Sequence, residues 1–168
     1  PFSSKQAKEI IEESLQIKID DVFDEFEDVP LAAASLAQVH RAKLKSTSEK
    51  VVIKVLRPGI HKQVRRNVRV MKAGGFLINL FYKESDRLKL KDVISDYEKT
   101  IYKELDLKVE AANTTVTKKN FADSSLLFIP KVFWDHTAVN VLTLEEIDGI
   151  ACTDIHAMDE LGIDRKIL

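Results

Sequence analysis

The hydrophobic pattern of this chain is clearest in a predicted β-hairpin that carries a lone lysine. Apolar residues fill Val51–Leu56 except at Lys54, and the short polar run Lys45–Glu49 before them has the length of a strand connection. Because alternate residues of a strand share a face, Lys54 lies on the same face as Val52 and Leu56. A charged amine on an apolar face is costly unless it is paired or binds an anion. The pattern therefore makes Lys54 the first candidate functional residue.

Residues 1–29 show helical spacing and form a predicted N-terminal helical extension. An apolar stripe predicts an amphipathic helix over residues 4–15, and Ser3 or Ser4 is the expected cap. A short helical turn is predicted within residues 19–26. The extension therefore precedes the strands rather than joining them.

Two longer helices are predicted in the middle of the chain. One begins at about Ile60, and the glycine pair 74–75 interrupts or kinks it. The other runs unbroken from about Leu88 to Phe121, because apolar residues recur every three or four positions and no proline or glycine intervenes. Asp154 is expected to cap a final helix, and the His-x-x-Asp sequence at 156–159 is interpreted as part of that helix.

Two further strands complete the predicted sheet. They span residues 128–134 and 139–144, with a turn between them. Together with the hairpin they predict a mixed α+β fold in which an antiparallel sheet packs on the long helix. We expect this lobe to span residues 30–149 and residues 150–168 to begin the next region of a longer protein, from which this chain would be a piece.

Composition excludes several classes of function. The 168 residues carry a net charge of −1, so we expect no general attraction to nucleic acid. The single cysteine, Cys152, excludes an internal disulfide and a multi-cysteine metal site, and no metal site is predicted in this chain. No apolar run reaches about 18 residues, so no membrane-spanning segment is predicted, and no secretion signal is predicted either.

The residues around Lys54 in the predicted order supply a candidate nucleotide site. The loop Leu31-Ala32-Ala33-Ala34-Ser35 has little side-chain bulk, and amide groups in such loops favour phosphate oxygens. Phosphoryl transfer depends mainly on positioning and charge neutralisation. Glu98, on the long helix, is the expected carboxylate partner of Lys54, and Glu145-Glu146-Ile147 is expected to offer backbone groups to an adenine. This ordered set is typical of a kinase N-terminal lobe.

Two less specific interpretations stay open. A strand lysine with a carboxylate partner also occurs as a purely structural ion pair, and the lobe would then be a non-catalytic module that binds lipid or a partner protein. Asp106 and Glu110, taken alone, are interpreted as ordinary surface carboxylates offset by nearby lysines.

Three segments resemble the UbiB/ADCK family of atypical kinases, and the stretch 96–130 is most similar to its bacterial members. Pro30–His40 is similar to the family's alanine-rich nucleotide loop, Val51–Ile60 to its lysine strand, and Glu104-Leu105-Asp106 to its Glu-x-Asp helix. Ordinary protein kinases have a glycine-rich loop where this sequence has alanines, so the loop is the most specific of the three. The resemblance implies a protein-kinase-like N-lobe that supports ubiquinone biosynthesis. A further alternative is an aminoglycoside- or choline-type small-molecule kinase, which would share the lobe but lack the alanine loop.

The resemblance also implies roles for individual residues. Lys54 would contact the phosphates of ATP, bound with Mg²⁺, and pair with Glu98. Glu104 and Asp106 would belong to a regulatory element that, in complete members, meets a Lys-x-Gly-Gln segment not found in this sequence. The residues that would cover the nucleotide are Leu31, Ala32, Ala33, Ala34, Ser35, Leu36, Ala37, Gln38 and Val39.

The implied partners are a nucleotide and either ubiquinone-biosynthesis proteins or an isoprenoid lipid at a membrane surface, with no nucleic acid. The implied location is the cytoplasm, with the full-length protein associated with the inner membrane. Nothing after Gly149 supplies the catalytic-loop Asp, the Asn and the metal-binding Asp that a kinase needs. We therefore expect no catalytic residue in this chain and no turnover by it alone.

Overall fold

An antiparallel sheet lies between two groups of helices. The computed structural model describes residues 1–81, 89–150 and 154–162. In these ranges the strand order is β1-β3-β4-β5, and a short β2 pairs with the same strand β3 as β1 does. The strands are β1 (Phe23–Asp24), β2 (Ala32–Ala33), β3 (Ala37–Leu44), β4 (Lys50–Leu56) and β5 (Val141–Glu145).

The helices precede, interrupt and follow the strands, and none in the described ranges has the length and apolarity needed to cross a bilayer. A 3₁₀ turn at Trp134–His136 precedes β5. The helices are α1 (Ser4–Leu15), α2 (Ile19–Val22), α3 (Ile60–Phe81), α4 (Leu90–Glu104), α5 (Leu107–Asn120) and α6 (Ile155–Glu160). The predicted α+β class, with an antiparallel sheet and extra N-terminal helices, is confirmed.

The two faces of the sheet bury different cores. On one face, alternate residues of β4 such as Ile53 pack with Ile11 of α1 and Phe23, and we call this the α1-side core. On the other face, Leu56 and Leu142 pack with the first turns of α3 and α5, and we call this the α5-side core. Lys54 lies on the α5 side, between its cross-strand neighbours on β3 and β5. The predicted orientation of Lys54 with Leu56 is confirmed.

The first and last helices form as their caps predict. Ser3 caps α1 through a capping box with Gln6, and the apolar stripe of α1 points into the α1-side core. Asp154 caps α6 by accepting a hydrogen bond from the backbone N–H of Ala157 at 3.1 Å. The His-x-x-Asp sequence therefore lies in a capped helix, as interpreted.

The predicted unbroken helix is wrong, because it is two helices. α4 ends at Glu104 and α5 begins at Leu107, and Asp106 caps α5 by accepting a hydrogen bond from the N–H of Lys108 at 3.0 Å. The apolar stripe gave no sign of the break, since both Leu105 and Leu107 are buried in the α5-side core. The expected start of the helix at Leu88 lies outside the described residues.

The glycine pair does not interrupt α3, so the predicted interruption is wrong, whereas the predicted alternative of a kink stays a prediction. α3 is continuous through Gly74 and Gly75. A Cβ added at Gly75 would lie 2.8 Å from Cδ1 of Ile94, whereas one at Gly74 would meet nothing within 4 Å. Gly75 therefore serves the close approach of α4 to α3, as glycines at helix crossings do.

The predicted strand over 128–134 is absent. Val132 makes an isolated bridge to Leu144, and the chain then turns at Trp134–His136. Pro130 has no backbone N–H to donate, which weakens a ladder at this position. Only the second predicted strand forms, as β5.

Candidate functional site

The centre of the candidate site is an ion pair between Lys54 on β4 and Glu110 on α5. Lys54 Nζ donates to both carboxylate oxygens of Glu110, at 2.8 Å and 2.7 Å. The side chains are 30% and 42% exposed, so a ligand can still reach the ammonium group. Two short charge-assisted hydrogen bonds to one carboxylate fix the direction of the ammonium group.

The expected pairing of Lys54 with Glu98 is wrong. Glu98 Oε2 accepts instead from Lys72 Nζ at 2.6 Å, which joins α4 to α3. The reason is the break at Asp106: α5 packs on the sheet below Lys54, while α4 packs along α3. The interpretation of Glu110 as an ordinary surface carboxylate is wrong for the same reason. Asp106 is of the residue type that starts helices, and as a helix cap it was the sequence feature that could have indicated a second helix and Glu110.

The alanine loop forms a tight hairpin over the end of the sheet. Leu31 N donates to Val39 O, and Ala34 N donates to Ala37 O, each at 2.8 Å. Arg57, at the end of β4, holds the tip: its Nη2 donates to the Ala34 carbonyl and its Nε to the Ser35 carbonyl, both at 2.7 Å. Arg57 was not among the predicted site residues, although it directly follows the lysine strand.

Eight of the nine predicted loop residues lie in three environments, and the ninth, Gln38, is described below. Leu31 and residues 32–35 are exposed and form the accessible surface of the hairpin. Leu36 and Ala37 pack in the α5-side core, and Val39 stands opposite Lys54 on the same face of the sheet. The small exposed side chains let a ligand approach the hairpin closely, although the Ala34 N–H and the Ala34 and Ser35 carbonyls are already hydrogen-bonded within the chain.

The side chain of Gln38 does not face this site. It is fully buried on the α1 side of β3, where its Oε1 accepts from Phe2 N at 3.1 Å and its Nε2 donates to Phe2 O at 3.2 Å. Its Nε2 also lies 2.8 Å from His40 Nε2, and His40 Nδ1 lies 2.8 Å from the carbonyl of Glu27. Because a carbonyl only accepts, the proton is on Nδ1 and Gln38 donates to Nε2. The predicted cover of the nucleotide by residues 31–39 stays a prediction, to which Gln38 can contribute only through its backbone.

The segment Glu145–Ile147 leaves β5 with both acidic side chains held. Glu145 Oε2 accepts from the N–H of Lys131 at 2.9 Å, and Glu146 Oε1 accepts from Arg41 Nε at 2.7 Å. Ile147 is exposed, and its backbone N–H and C=O make no hydrogen bond to the described part of the chain. A free donor and acceptor at the end of a strand are what an adenine edge needs.

A cleft of about 510 Å³ runs along α5 from the ion pair. Glu104, Asp106 and Glu110 line its acidic side, and Ile129 and Pro130 line its apolar side. The two members of the predicted regulatory element therefore lie beside the carboxylate that holds Lys54. Across residues 1–81, 89–150 and 154–162, no cluster of acidic, histidine or cysteine residues is placed to hold a metal ion.

The sequence matches the ABC1 atypical kinase-like domain over residues 1–168. The chain belongs to this family. The predicted membership among UbiB-type atypical kinases is confirmed.

Individual relatives of this ABC1 domain carry the same assignment. Proteins described as probable protein kinase UbiB from Azotobacter vinelandii, Marinobacter nauticus and Aeromonas hydrophila are 45%, 43% and 42% identical over all 168 residues. The chain spans 30–31% of the length of these relatives. The solved structure of the Rv3197–erythromycin complex from Mycobacterium tuberculosis matches 89% of this chain and 37% of that one, with a TM-score of 0.75 and 25% identity.

Proposed function

We propose that this chain is the ATP-binding lobe of a UbiB-like atypical kinase or ATPase that supports ubiquinone biosynthesis. The single observation that carries the proposal is the Lys54–Glu110 pair, which lies beside the alanine hairpin on the α5 side of the sheet. A lysine that is held in a fixed direction and is partly exposed is the group that phosphate oxygens need. The lobe would span residues 30–149, with residues 1–29 as a helical extension.

In this proposal ATP lies along the α5 face of the sheet. Its phosphates meet Lys54 and the exposed alanine hairpin, and its adenine meets the free backbone groups of Ile147. Mg²⁺ would be bound together with the phosphates and held by residues of the complete protein beyond this lobe. Glu104 and Asp106, at the end of the cleft beside Glu110, would form the regulatory element of the site.

The test uses the full-length protein and the substitution Lys54→Ala. We expect loss of ATP hydrolysis and of the thermal stabilisation by ATP with Mg²⁺, since a ligand at one hundred times its Kd stabilises the folded state by about 2.7 kcal/mol. Glu110→Gln should weaken both effects, because it removes the carboxylate that fixes Lys54. Lys72→Ala is the matched control: it breaks a lysine–glutamate pair of similar length away from the site and should leave both intact. Hydrolysis and stabilisation that persist in Lys54→Ala would overturn the proposal.

A second candidate function is a non-catalytic module that binds lipid or a partner protein. It is favoured by the exposed apolar side chains on the second half of α3, among them Phe76, Leu77 and Leu80, and by Val93 on α4. In the full-length protein this surface would face the cytoplasmic side of the inner membrane, where an isoprenoid lipid or a ubiquinone-biosynthesis protein would bind. Stabilisation by such vesicles or partners, with no shift from ATP and Mg²⁺, would favour this function over the first.

A further inference from the structure

Arg41 lies on the same face of the sheet as Lys54. It is two residues further along β3 than Val39, away from the alanine hairpin. It is directly opposite Val52 on β4, as Val39 is opposite Lys54. The intervening His40 points to the other face, into the buried contacts with Gln38 and Glu27. The Arg41 side chain therefore extends across the face along which the proposed ATP lies.

The guanidinium of Arg41 contacts two carboxylates from distant parts of the chain. Its Nε donates to Glu146 Oε1 at 2.7 Å, and its Nη1 lies 3.8 Å from Glu27 Oε2. Backbone pairing fixes the second contact, since Glu27 N donates to Arg41 O at 2.9 Å. Arg41 thus joins the segment that enters the alanine hairpin to the segment that leaves β5, across the intervening strand β4.

Glu146 is the least exposed member of this cluster, at 21% exposure. It directly precedes Ile147, whose backbone is not held by any hydrogen bond to the described residues. Fixing the Glu146 side chain therefore limits the rotation of the peptide that precedes the free N–H of Ile147. Without Arg41, two carboxylates would also stand unneutralised near an anionic ligand.

We propose that Arg41 is a positioning residue: by bridging Glu27 and Glu146 it sets the backbone of residues 145–147 in the geometry that receives the base of the nucleotide. This inference rests on the proposed function and adds a residue to it. The planar guanidinium holds two carboxylates in a fixed geometry, whereas the ammonium of a lysine, on a flexible stem, fixes their positions less closely. Preorganised positions of this kind change ligand affinity without touching the reacting phosphates.

The experiment measures ATP affinity and hydrolysis in the full-length protein. Arg41→Gln should raise the KM and Kd for ATP about three- to tenfold and leave kcat within about twofold, because the phosphate end of the site is intact. The affinity for adenosine, measured as a competitor of ATP, should fall by the same factor. Arg41→Lys should lie between the wild type and Arg41→Gln, and it serves as the second variant if Arg41→Gln does not fold.

Three further variants separate positioning from general stability. Glu146→Gln should raise the KM for ATP as Arg41→Gln does. The double variant should have a KM no higher than that of Arg41→Gln, because both substitutions remove the same Arg41–Glu146 contact. Lys43→Gln is the matched control, since Lys43 lies on the same face of β3 beside this cluster but pairs with Glu25 at 3.6 Å rather than with Glu146. It should leave KM unchanged.

An unchanged KM in both Arg41→Gln and Arg41→Lys, while Lys54→Ala still abolishes ATP binding, would overturn the inference. If the melting temperature without nucleotide falls while KM stays at the wild-type value, the ion pair is merely structural. If the wild-type protein binds no ATP, the proposed function fails and the inference fails with it.

Discussion

Two lysine–glutamate pairs of almost equal length hold different parts of this lobe. Lys54–Glu110 joins β4 to α5 at 2.7 Å, and Lys72–Glu98 joins α3 to α4 at 2.6 Å. The helices that carry the two glutamates differ more than the pairs do. α5 anchors Leu107 and Ala111 in the α5-side core, whereas no residue of α4, which lies wholly within the described range 89–150, is buried.

The difference shows that the value of an ion pair depends on the element that carries it. A glutamate on a helix anchored to the sheet has a fixed position, so it can direct a lysine toward a ligand. A glutamate on a weakly buried helix mainly links two helices, and exposed pairs of that kind contribute about 0–1 kcal/mol. We therefore expect substitutions under α5 to affect the site and substitutions under α4 to affect only local packing.

The largest effect is expected from the anchor of α5. Leu107→Ala removes a side chain that is fully buried in the α5-side core, and such changes lower the free energy of unfolding by about 2–5 kcal/mol. The ATP stabilisation of the full-length protein should fall as well, because Glu110 lies one turn further along the same helix. Chemical denaturation and thermal shift with ATP measure the two effects.

Val116→Ala is the control for this substitution. Val116 lies on the same helix but is mostly exposed, so the free energy of unfolding should change by less than about 0.5 kcal/mol. Equal losses for the two substitutions would show that α5 is not anchored as described and would remove the contrast between the pairs.

The next effect is expected where α4 approaches α3. Gly74→Ala meets nothing within 4 Å and should raise the free energy of unfolding by about 0.5–1 kcal/mol, since alanine favours the helix over glycine. Gly75→Ala places a Cβ 2.8 Å from Ile94 Cδ1, the end of a side chain that must rotate or shift, and this should cancel that gain or exceed it by up to about 1 kcal/mol. Denaturant melts should therefore show Gly75→Ala to be the less stable of the two variants, and neither variant should change ATP affinity. A change in ATP affinity in Gly75→Ala would mean that α4 does communicate with the site.

Most of the fold was predictable because it depends on local periodicity. The alternation in β4 gave the face of Lys54, and the cap at Ser3 gave the start of α1. The sequence misled where two elements share one stripe, as at Asp106, and where a glycine has a packing role, as at Gly75. Both features depend on the distance between helices, which no single-sequence period contains.

A smaller effect is expected at the break between α4 and α5. Asp106→Ala removes the side chain that caps α5, and the loss of such a cap lowers the free energy of unfolding by about 1 kcal/mol. Asp106→Ser keeps a capping oxygen and should retain most of the stability. Denaturation of the two variants measures the cap, and ATP affinity measures how far a frayed first turn displaces Glu110. An alanine variant as stable as the wild type would contradict the role of Asp106 as a cap.

The candidate site was predictable in its strand half and not in its helix half. Lys54 and the alanine loop follow from local pattern and resemblance, and both occupy the expected places. The partner of Lys54 was assigned to Glu98 because one continuous helix was assumed, and the break at Asp106 moves the partner to Glu110. Arg41 gave no local signal, since its partners Glu27 and Glu146 are distant in sequence and meet it only in the folded sheet.

The smallest effect is expected at an exposed pair that marks the lower limit of the comparison. The ammonium of Lys8, hydrogen-bonded to Asp28 at 2.9 Å, holds the pKa of that carboxyl below its usual value, and a hydrogen bond from Ser4 acts in the same direction. A lowered pKa stabilises the fold above the unfolded pKa of the carboxyl, and this contribution disappears as the pH falls through the lower folded pKa. Lys8→Gln should therefore lower the melting temperature slightly near neutral pH and make its decline in acid shallower, while Lys5→Gln on the same helix should match the wild type. If the melting temperatures of the wild type and Lys8→Gln fall in parallel from neutral pH into acid, an ion pair this exposed contributes nothing measurable to stability. Burial of the supporting helix would then be the property that separates Lys54–Glu110 from the other pairs.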